Sequence, residues 1–339
     1  MPPIHMKTGA QYLIRRERRS SSKTPSRFLK RDQHVKALTI SQRVFNLIRG
    51  SRLIGHVLAR YERACNLVTS GQEIIALVSP AIGNGPLNIV LKDCAALEGI
   101  KPGCSALFCD AQLVLGESIV ILLEGARVWS AAVDWEPLTG NKNRLGESLA
   151  VLCERLLNAE QRSEKSNGIL SLHNQTFLAT AQTKIKGLLQ ALKDGDRLGI
   201  RENAMRLAGL GPGLTPAGDD YLLGLMAGLR AWPAPLENSG LSPEEACQLI
   251  FEATKGRTTL LSSAFLRSAK DGLFGESWHE LVAALAGGEA LQIQKAAKRI
   301  LSSGATSGAD ALAGFLSPYL IAPPFLRTVE PTLSRHSRL

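Results

Sequence analysis

The sequence predicts an α+β protein. A β-rich N-terminal part, either an antiparallel barrel or a sandwich, is followed by an α-helical C-terminal part. Three observations carry this expectation. From about Glu73 to Ala132 the chain is a series of short Val-, Ile- and Leu-rich runs punctuated by Gly, Asn, Pro and Asp, the pattern of closely spaced strands. From Glu147 onward apolar residues recur at helical spacing, as in "ESLAVLCERLLNAEQR". Most of these later segments end in Gly, as helix C-termini prefer.

The strand runs are "EIIALV", "LNIVLK", "SALFCD", "QLVLG", "SIVILLEG" and "RVWSAAV". Between the first two, "AIGNGPLN" places two glycines and a proline around Asn84, which marks a tight turn or loop. The helical runs are "TAQTKIKGLLQALKDGD", "RENAMRLAG", "SPEEACQLIFEATKG", "TLLSSAFLRSAKDG", "SWHELVAALAGG" and "EALQIQKAAKRILSSG". The expected organisation is a basic, disordered leader over 1–60, a β-rich domain over 61–140, a helical domain over 141–322 and a tail over 323–339.

Charge supports a separate leader. The chain carries a formal net charge of +10 over 339 residues. Residues 1–63 hold fifteen Lys and Arg against three acids, so the rest of the chain is slightly acidic. "RRERRSSSKTPSRFLKR" is charged, Ser-rich and poor in aromatics, so it buries too little apolar surface to offset the entropy of ordering. With no aromatic interleaving to stack bases, a solvated tail is favoured over a nucleic-acid binder. No apolar run is long enough to cross a membrane. Six cysteines lie at 65, 94, 104, 109, 153 and 247 without a C-x-x-C pair, and the histidines form no H-x-x-x-H. The expectation is reduced thiols, a cytoplasmic location, and no metal or other cofactor.

One motif is written twice. "LGPGLTPAGDDYLLG" (210–224) and "GATSGADALAGF" (304–315) align Gly218, Asp220, Leu222 and Gly224 with Gly308, Asp310, Leu312 and Gly314. Each is a Gly/Ser/Thr loop opening into an apolar helix. Ser307 is a candidate N-cap for the second helix; Thr215 and Pro216 suit the start of the first. A helix N-terminus presents free N–H groups and partial positive charge, a place for a small anion. Gly209, Gly211 and Gly213 would let the backbone approach such a group. A third segment, "GRTTLLSSAFLRSAKDGLF", sets Arg257, Thr258 and Thr259 at another helix start, where Arg can grip a phosphate or carboxylate bidentately. No G-K-[ST] follows the glycines and no βαβ pattern surrounds them, which excludes a P-loop and a dinucleotide fold.

Taken in order, "CNLVTSGQEIIALVSPAIGNGP", "GPGLTPAGDDYLLGLM", "TTLLSSAFLRSAKDGLF" and "SSGATSGADALAGF" resemble the AllH-like family, domain of unknown function 2877, over roughly Arg60 to Leu320. The resemblance implies one of three unlike subunits of oxamate carbamoyltransferase, in purine (allantoin) nitrogen breakdown. That enzyme moves a carbamoyl group between oxalurate, phosphate, oxamate and carbamoyl phosphate. Two unlike transferase subunits and a small anionic substrate are then the expected partners.

The expected substrate-binding residues are Gly211, Gly213, Thr215, Gly218, Asp219, Arg257, Thr258, Thr259, Thr306, Ser307 and Gly308. Asp220 and Asp310 are the expected catalytic pair, orienting the carbamoyl NH2 or fixing the loops, with general-base work a lesser role. The alternatives are a non-catalytic interaction subunit, whose glycines serve close packing, and a stand-alone small-anion binder.

Overall fold

The computed structural model describes residues 33–50, 52–109, 111–139, 142–161, 175–232, 234–304 and 306–320. Most of the expected leader, through Asp32, and the expected tail lie outside them. The chain divides into two compact units that meet in sequence at Ala131 and Ala132.

The first unit is a mixed β-barrel. Its strands are β1 (Gln33–Ser41), β2 (Leu53–Arg60), β3 (Ala64–Thr69), β4 (Ile74–Val78), β5 (Asn88–Leu91), β6 (Ser105–Cys109), β7 (Gln112–Leu115), β8 (Ile119–Leu122) and β9 (Arg127–Trp129). A short helix, α1 (Gln42–Ile48), follows β1 and is capped by the Ser41 hydroxyl. The order β5-β4-β3-β2-β6-β7-β8-β1-β9, with β5 also pairing β1, closes an eight-strand ring through β1. Of the expected alternatives, the barrel is what forms. It is mixed rather than wholly antiparallel, because β1 runs parallel to β8 and β9, and β4 runs parallel to β5.

Residues 33–60 correct the expected leader boundary. They are the closing stave, a helix and a second strand. The physical reason is alternation: Val35 and Ala37 point into the core while His34 and Lys36 face out, so the basic side chains decorate a strand without entering its interior. The same alternation runs through β6, β7 and β8, which send Ala106, Phe108, Leu113, Leu115, Ile119 and Ile121 inward. The Asn84 loop is tied to β1. Thr39 Oγ1 donates to Asn84 Oδ1 (2.5 Å) and Ser41 Oγ donates to the Pro86 carbonyl (2.8 Å).

The second unit is helical: α2 (Glu136–Thr139), α3 (Lys142–Gln161), α4 (Gln175–Asp194), α5 (Arg197–Leu207), α6 (Ala217–Ala231), α7 (Pro243–Thr254), α8 (Leu260–Lys270), α9 (Glu276–Gly287), α10 (Ala290–Leu301) and α11 (Ser307–Leu320). The expected break near 140 falls just inside it. One continuous core joins these helices, with Trp278 against Phe315, Phe315 against Tyr319 and Trp232 against Tyr319, the rings tilted to one another.

The written repeat is the visible end of a larger duplication. α4-α5-α6 corresponds to α9-α10-α11. Leu188, Leu192, Ile200, Ala204 and Leu207 match Leu281, Leu285, Ile293, Ala297 and Ile300, all buried. Gly195 and Gly288 both adopt positive φ in the turn between the first two helices, where only glycine does so without strain. After the α5–α6 loop, which is three residues longer than its counterpart, the match resumes at Gly218 and Gly308. A methyl group on Gly218 would strike the Leu207 carbonyl, and one on Gly308 would strike the carbonyl of its equivalent, Ile300. Helices α6 and α11 run parallel and cross in backbone contact. A methyl at Gly224 would strike the Ala311 carbonyl, and one at Gly314 would strike the Tyr221 carbonyl. Because Ala311 is the equivalent of Tyr221, these contacts are reciprocal, the mark of a pseudo-twofold axis.

Candidate functional site

Parallel crossing brings the two N-termini together. Asp220 and Asp310 each lie one turn before the glycine at which their helix touches the other. Both are buried, with 9% and 1% of their surface exposed, and Asp219 beside them keeps 2%. Two partial positive helix ends in contact repel each other. Carboxylates in the first turns, Asp219 and Asp220 of α6 and Asp310 of α11, relieve that repulsion.

Asp219 is held by groups from distant chain positions. It accepts from the Gly209 amide (2.9 Å) and from the Thr258 hydroxyl, and Ser262 also bonds to it. Burial raises its pKa, and these three donors oppose the rise. Thr259 caps α8 by accepting from Ser262 N (3.0 Å), and its hydroxyl donates to the Leu214 carbonyl (2.5 Å), pinning the α5–α6 loop.

Asp220 is less satisfied. Burial pushes its carboxyl up to about 7, and the charges of Asp310 and Asp219 add to the rise. Hydrogen bonds from Ser307 and Thr215 oppose it. Its Oδ2 is buried and meets no donor. No cation is among the groups acting on it. Thr215 and Ser307, from opposite halves of the duplication, bond to each other at 3.0 Å.

The remaining expected residues fall as follows. The N-cap of α6 is Pro216 without a side-chain cap bond, so the Thr215 hydroxyl turns to Ser307 instead. In the second copy, Asp310 N donates to the Thr306 carbonyl (3.0 Å), so Thr306 takes the cap position and Ser307 opens the helix. Several first-turn amides are already engaged. Gly218 N donates to Leu210 O and Gly308 N to Ser303 O, while Asp219 N and Asp220 N donate to Pro216 O. Gly218 and Gly308 therefore serve backbone packing, and their N–H groups do not point to an anion. Gly211 and Gly213 take φ of 112° and 101° in the α5–α6 loop, where Leu214 is exposed. Arg257 is exposed at the head of the α8 segment.

Ser262 was not anticipated, and its signal was its place three residues after the Thr259 cap. Gly209, expected to bring the backbone close to a bound anion, gives its amide to Asp219 instead. Among the described residues no three His, Cys, Asp or Glu side chains are grouped to hold a metal ion, and no helix is long and apolar enough to cross a membrane. A cleft of about 600 Å³ between α9 and α10, lined by Glu280, Gln292, Lys295 and Arg299, contains none of the three aspartates.

A closed mixed barrel followed by a duplicated three-helix module, with acidic residues where its halves cross, defines a two-part protein whose helical half carries the polar cluster. Comparison with protein families gives it a place. The model described as oxamate carbamoyltransferase subunit AllH matches residues 207–318, and the AllH family N-terminal domain matches residues 36–128. The chain belongs to the AllH family. The first match runs from the end of α5 through both crossing helices, and the second runs from β1 into β9. No solved structure matches the chain.

Proposed function

We propose that this chain is a subunit of an oxamate carbamoyltransferase and that the crossing of α6 and α11 is where its substrate's carbamoyl or ureido group binds. The reaction is the interconversion of oxamate and carbamoyl phosphate with oxalurate and phosphate, in cytoplasmic purine-derived nitrogen breakdown, with two unlike partner subunits. The family match supports the subunit role. The observation that carries the site is the meeting of Asp220 and Asp310 beside the Thr215–Ser307 pair.

A cluster of carboxyl and hydroxyl groups selects the N–H end of a ligand, because each N–H finds an acceptor and each ligand carboxylate or phosphate is repelled. Carbamoyl and ureido groups present such N–H donors. Their anionic ends then need cations elsewhere, which Arg257 or a partner subunit would supply. The Gly211–Leu214 stretch, latched by Thr259 through the Leu214 carbonyl, is the segment that would move to admit substrate.

The test is phosphorolysis of oxalurate by this chain alone and by the chain purified with its partner subunits. The expected result is turnover only in the assembly, with Thr215→Val and Ser307→Ala raising KM by about tenfold through the loss of one positioning hydrogen bond. Full turnover by the isolated chain would overturn the subunit role. Unchanged kinetics in both variants would remove the site and favour the interaction subunit, whose glycines only pack helices.

A further inference from the structure

We infer that Asp220 Oδ2 is the atom that accepts the substrate's terminal N–H, and that it restricts the site to carbamoyl groups whose nitrogen carries no substituent. The inference rests on the reading of this site given above and adds the atom that recognises the ligand and the ligands it refuses.

The atom is singled out by counting donors. Asp220 is buried in the first turn of α6, where that helix crosses α11. Its Oδ2 is buried and meets no donor. An oxygen that has lost its water without gaining a partner is strongly favoured to accept a hydrogen bond. The donors around it are spent. Thr215 and Ser307 are the hydroxyls that bond to this carboxyl, and they also bond to each other at 3.0 Å. Each hydroxyl carries one proton. Their mutual bond uses one, which leaves one for a carboxylate that has about four acceptor sites. The amides of Gly218, Asp219 and Asp220 donate to the Leu210 and Pro216 carbonyls. Gly209, Thr258 and Ser262 are committed to Asp219.

The duplication does not repeat this arrangement. Ser307 stands one residue before Gly308, and the residue one before Gly218 is Ala217, which has no hydroxyl. The Thr215–Ser307 pair therefore orients the Asp220 carboxyl from one side and leaves Oδ2 over.

The chemistry of the proposed substrate fits that atom. A terminal carbamoyl nitrogen carries two N–H groups and no lone pair free to compete. One N–H given to Oδ2 makes a charge-assisted hydrogen bond. The same oxygen repels a carboxylate or phosphate, so the substrate enters nitrogen first. A nitrogen with two methyl groups offers no proton and leaves Oδ2 buried and unpaired, which is how a polar site rejects an analogue that lacks the matching group. Thr215 belongs to the α5–α6 loop, so the movement that admits substrate also draws one hydroxyl away from the carboxyl.

The test is calorimetric binding to the assembled enzyme without phosphate, using oxalurate and its analogue dimethylated on the terminal nitrogen. The unmodified enzyme should bind the analogue at least about tenfold more weakly. Asp220→Asn keeps the size of the side chain. Its oxygen still accepts from the hydroxyl pair, which turns its NH2 to the place of Oδ2, a donor facing a donor. This variant should weaken oxalurate by about 10–100-fold and the analogue by less than about threefold, so the preference collapses. Equal affinity of the unmodified enzyme for the two compounds would overturn the inference, whatever the variant does. A preference that persists in Asp220→Asn would also overturn it, because bulk elsewhere would then exclude the methyl groups; in both cases oxalurate binding keeps the substrate reading standing. Absence of oxalurate binding to the unmodified assembly would overturn that reading and the inference with it.

Discussion

Replacing Asp220 with Asn should stabilise the protein by about 2 kcal/mol at pH 8 and destabilise it by about the same amount at pH 4. A carboxyl held near 7 against an ordinary 3.8 resists ionisation in the fold, at about 1.4 kcal/mol per pH unit, by about 4 kcal/mol. Between pH 4 and 7 the folded state keeps a proton that the unfolded chain has lost. The contribution of Asp220 to stability is therefore fullest below pH 4, falls as pH rises through that window, and levels off above it. Asn carries no charge, so it escapes the fall. It still accepts from Ser307 or Thr215, but its NH2 must find an acceptor in a crowded place, which takes back about half the gain. The net expectation is about 2 kcal/mol at pH 8, or a melting point higher by about 4–8 °C for a unit of this size. Thermal unfolding of both proteins at pH 4, 6 and 8 measures it. A variant destabilised by the same amount at every pH would refute the reasoning, because the carboxyl would then be a structural acceptor and not a strained acid. A site that holds charge at a cost to stability is what function, not folding, selects.

Gly224→Ala should destabilise by about 1–3 kcal/mol in urea unfolding, because its methyl meets the Ala311 carbonyl of the crossing helix. Gly287→Ala, with nothing near its added carbon, should instead stabilise by about 0.4–1 kcal/mol; equal effects at both positions would contradict the close crossing. Thr258→Val removes a donor from buried Asp219 and should cost about 1–3 kcal/mol at pH 8, with the loss shrinking as pH falls, because burial raises the pKa of this carboxyl. Ile40→Ala, in the stave that closes the barrel, should cost about 2–5 kcal/mol; a change under 1 kcal/mol would mean that β1 is not part of the barrel core.

The strands after Glu73 were legible because each is an apolar run bounded by turn residues. β1 and β2 were not, because Lys36, Arg43, Arg52 and Arg60 drew the segment into the basic leader. The alternation of Val35 and Ala37 with charged neighbours was visible, yet it is short and lies beside a strongly charged stretch. Recurring Gly and Asp revealed the crossing helices, since residues required for backbone contact tolerate little change. The larger duplication was hidden because α4-α5 and α9-α10 agree mainly at buried positions such as Leu192 and Leu285, and because the α5–α6 loop breaks the register.

At the site, helix-start chemistry was readable one residue at a time. What was not readable was its destination. The Thr215 hydroxyl crosses to Ser307, and Thr258 reaches Asp219 from another helix start. Local capping rules do not describe contacts between distant segments. The same rules expected free amides at Gly218 and Gly308, where loop carbonyls occupy them instead.

The central claim is that the two halves of the duplication make one site through Asp220 and Asp310. A double-mutant cycle on kcat of the assembled enzyme tests it most directly. If the two acids bind one substrate group together, either substitution breaks the same contact, so Asp220→Asn with Asp310→Asn should be no slower than the worse single variant, within about threefold. Losses that multiply, each substitution slowing the enzyme by its full factor in the presence of the other, would contradict the account and leave two independent helix starts.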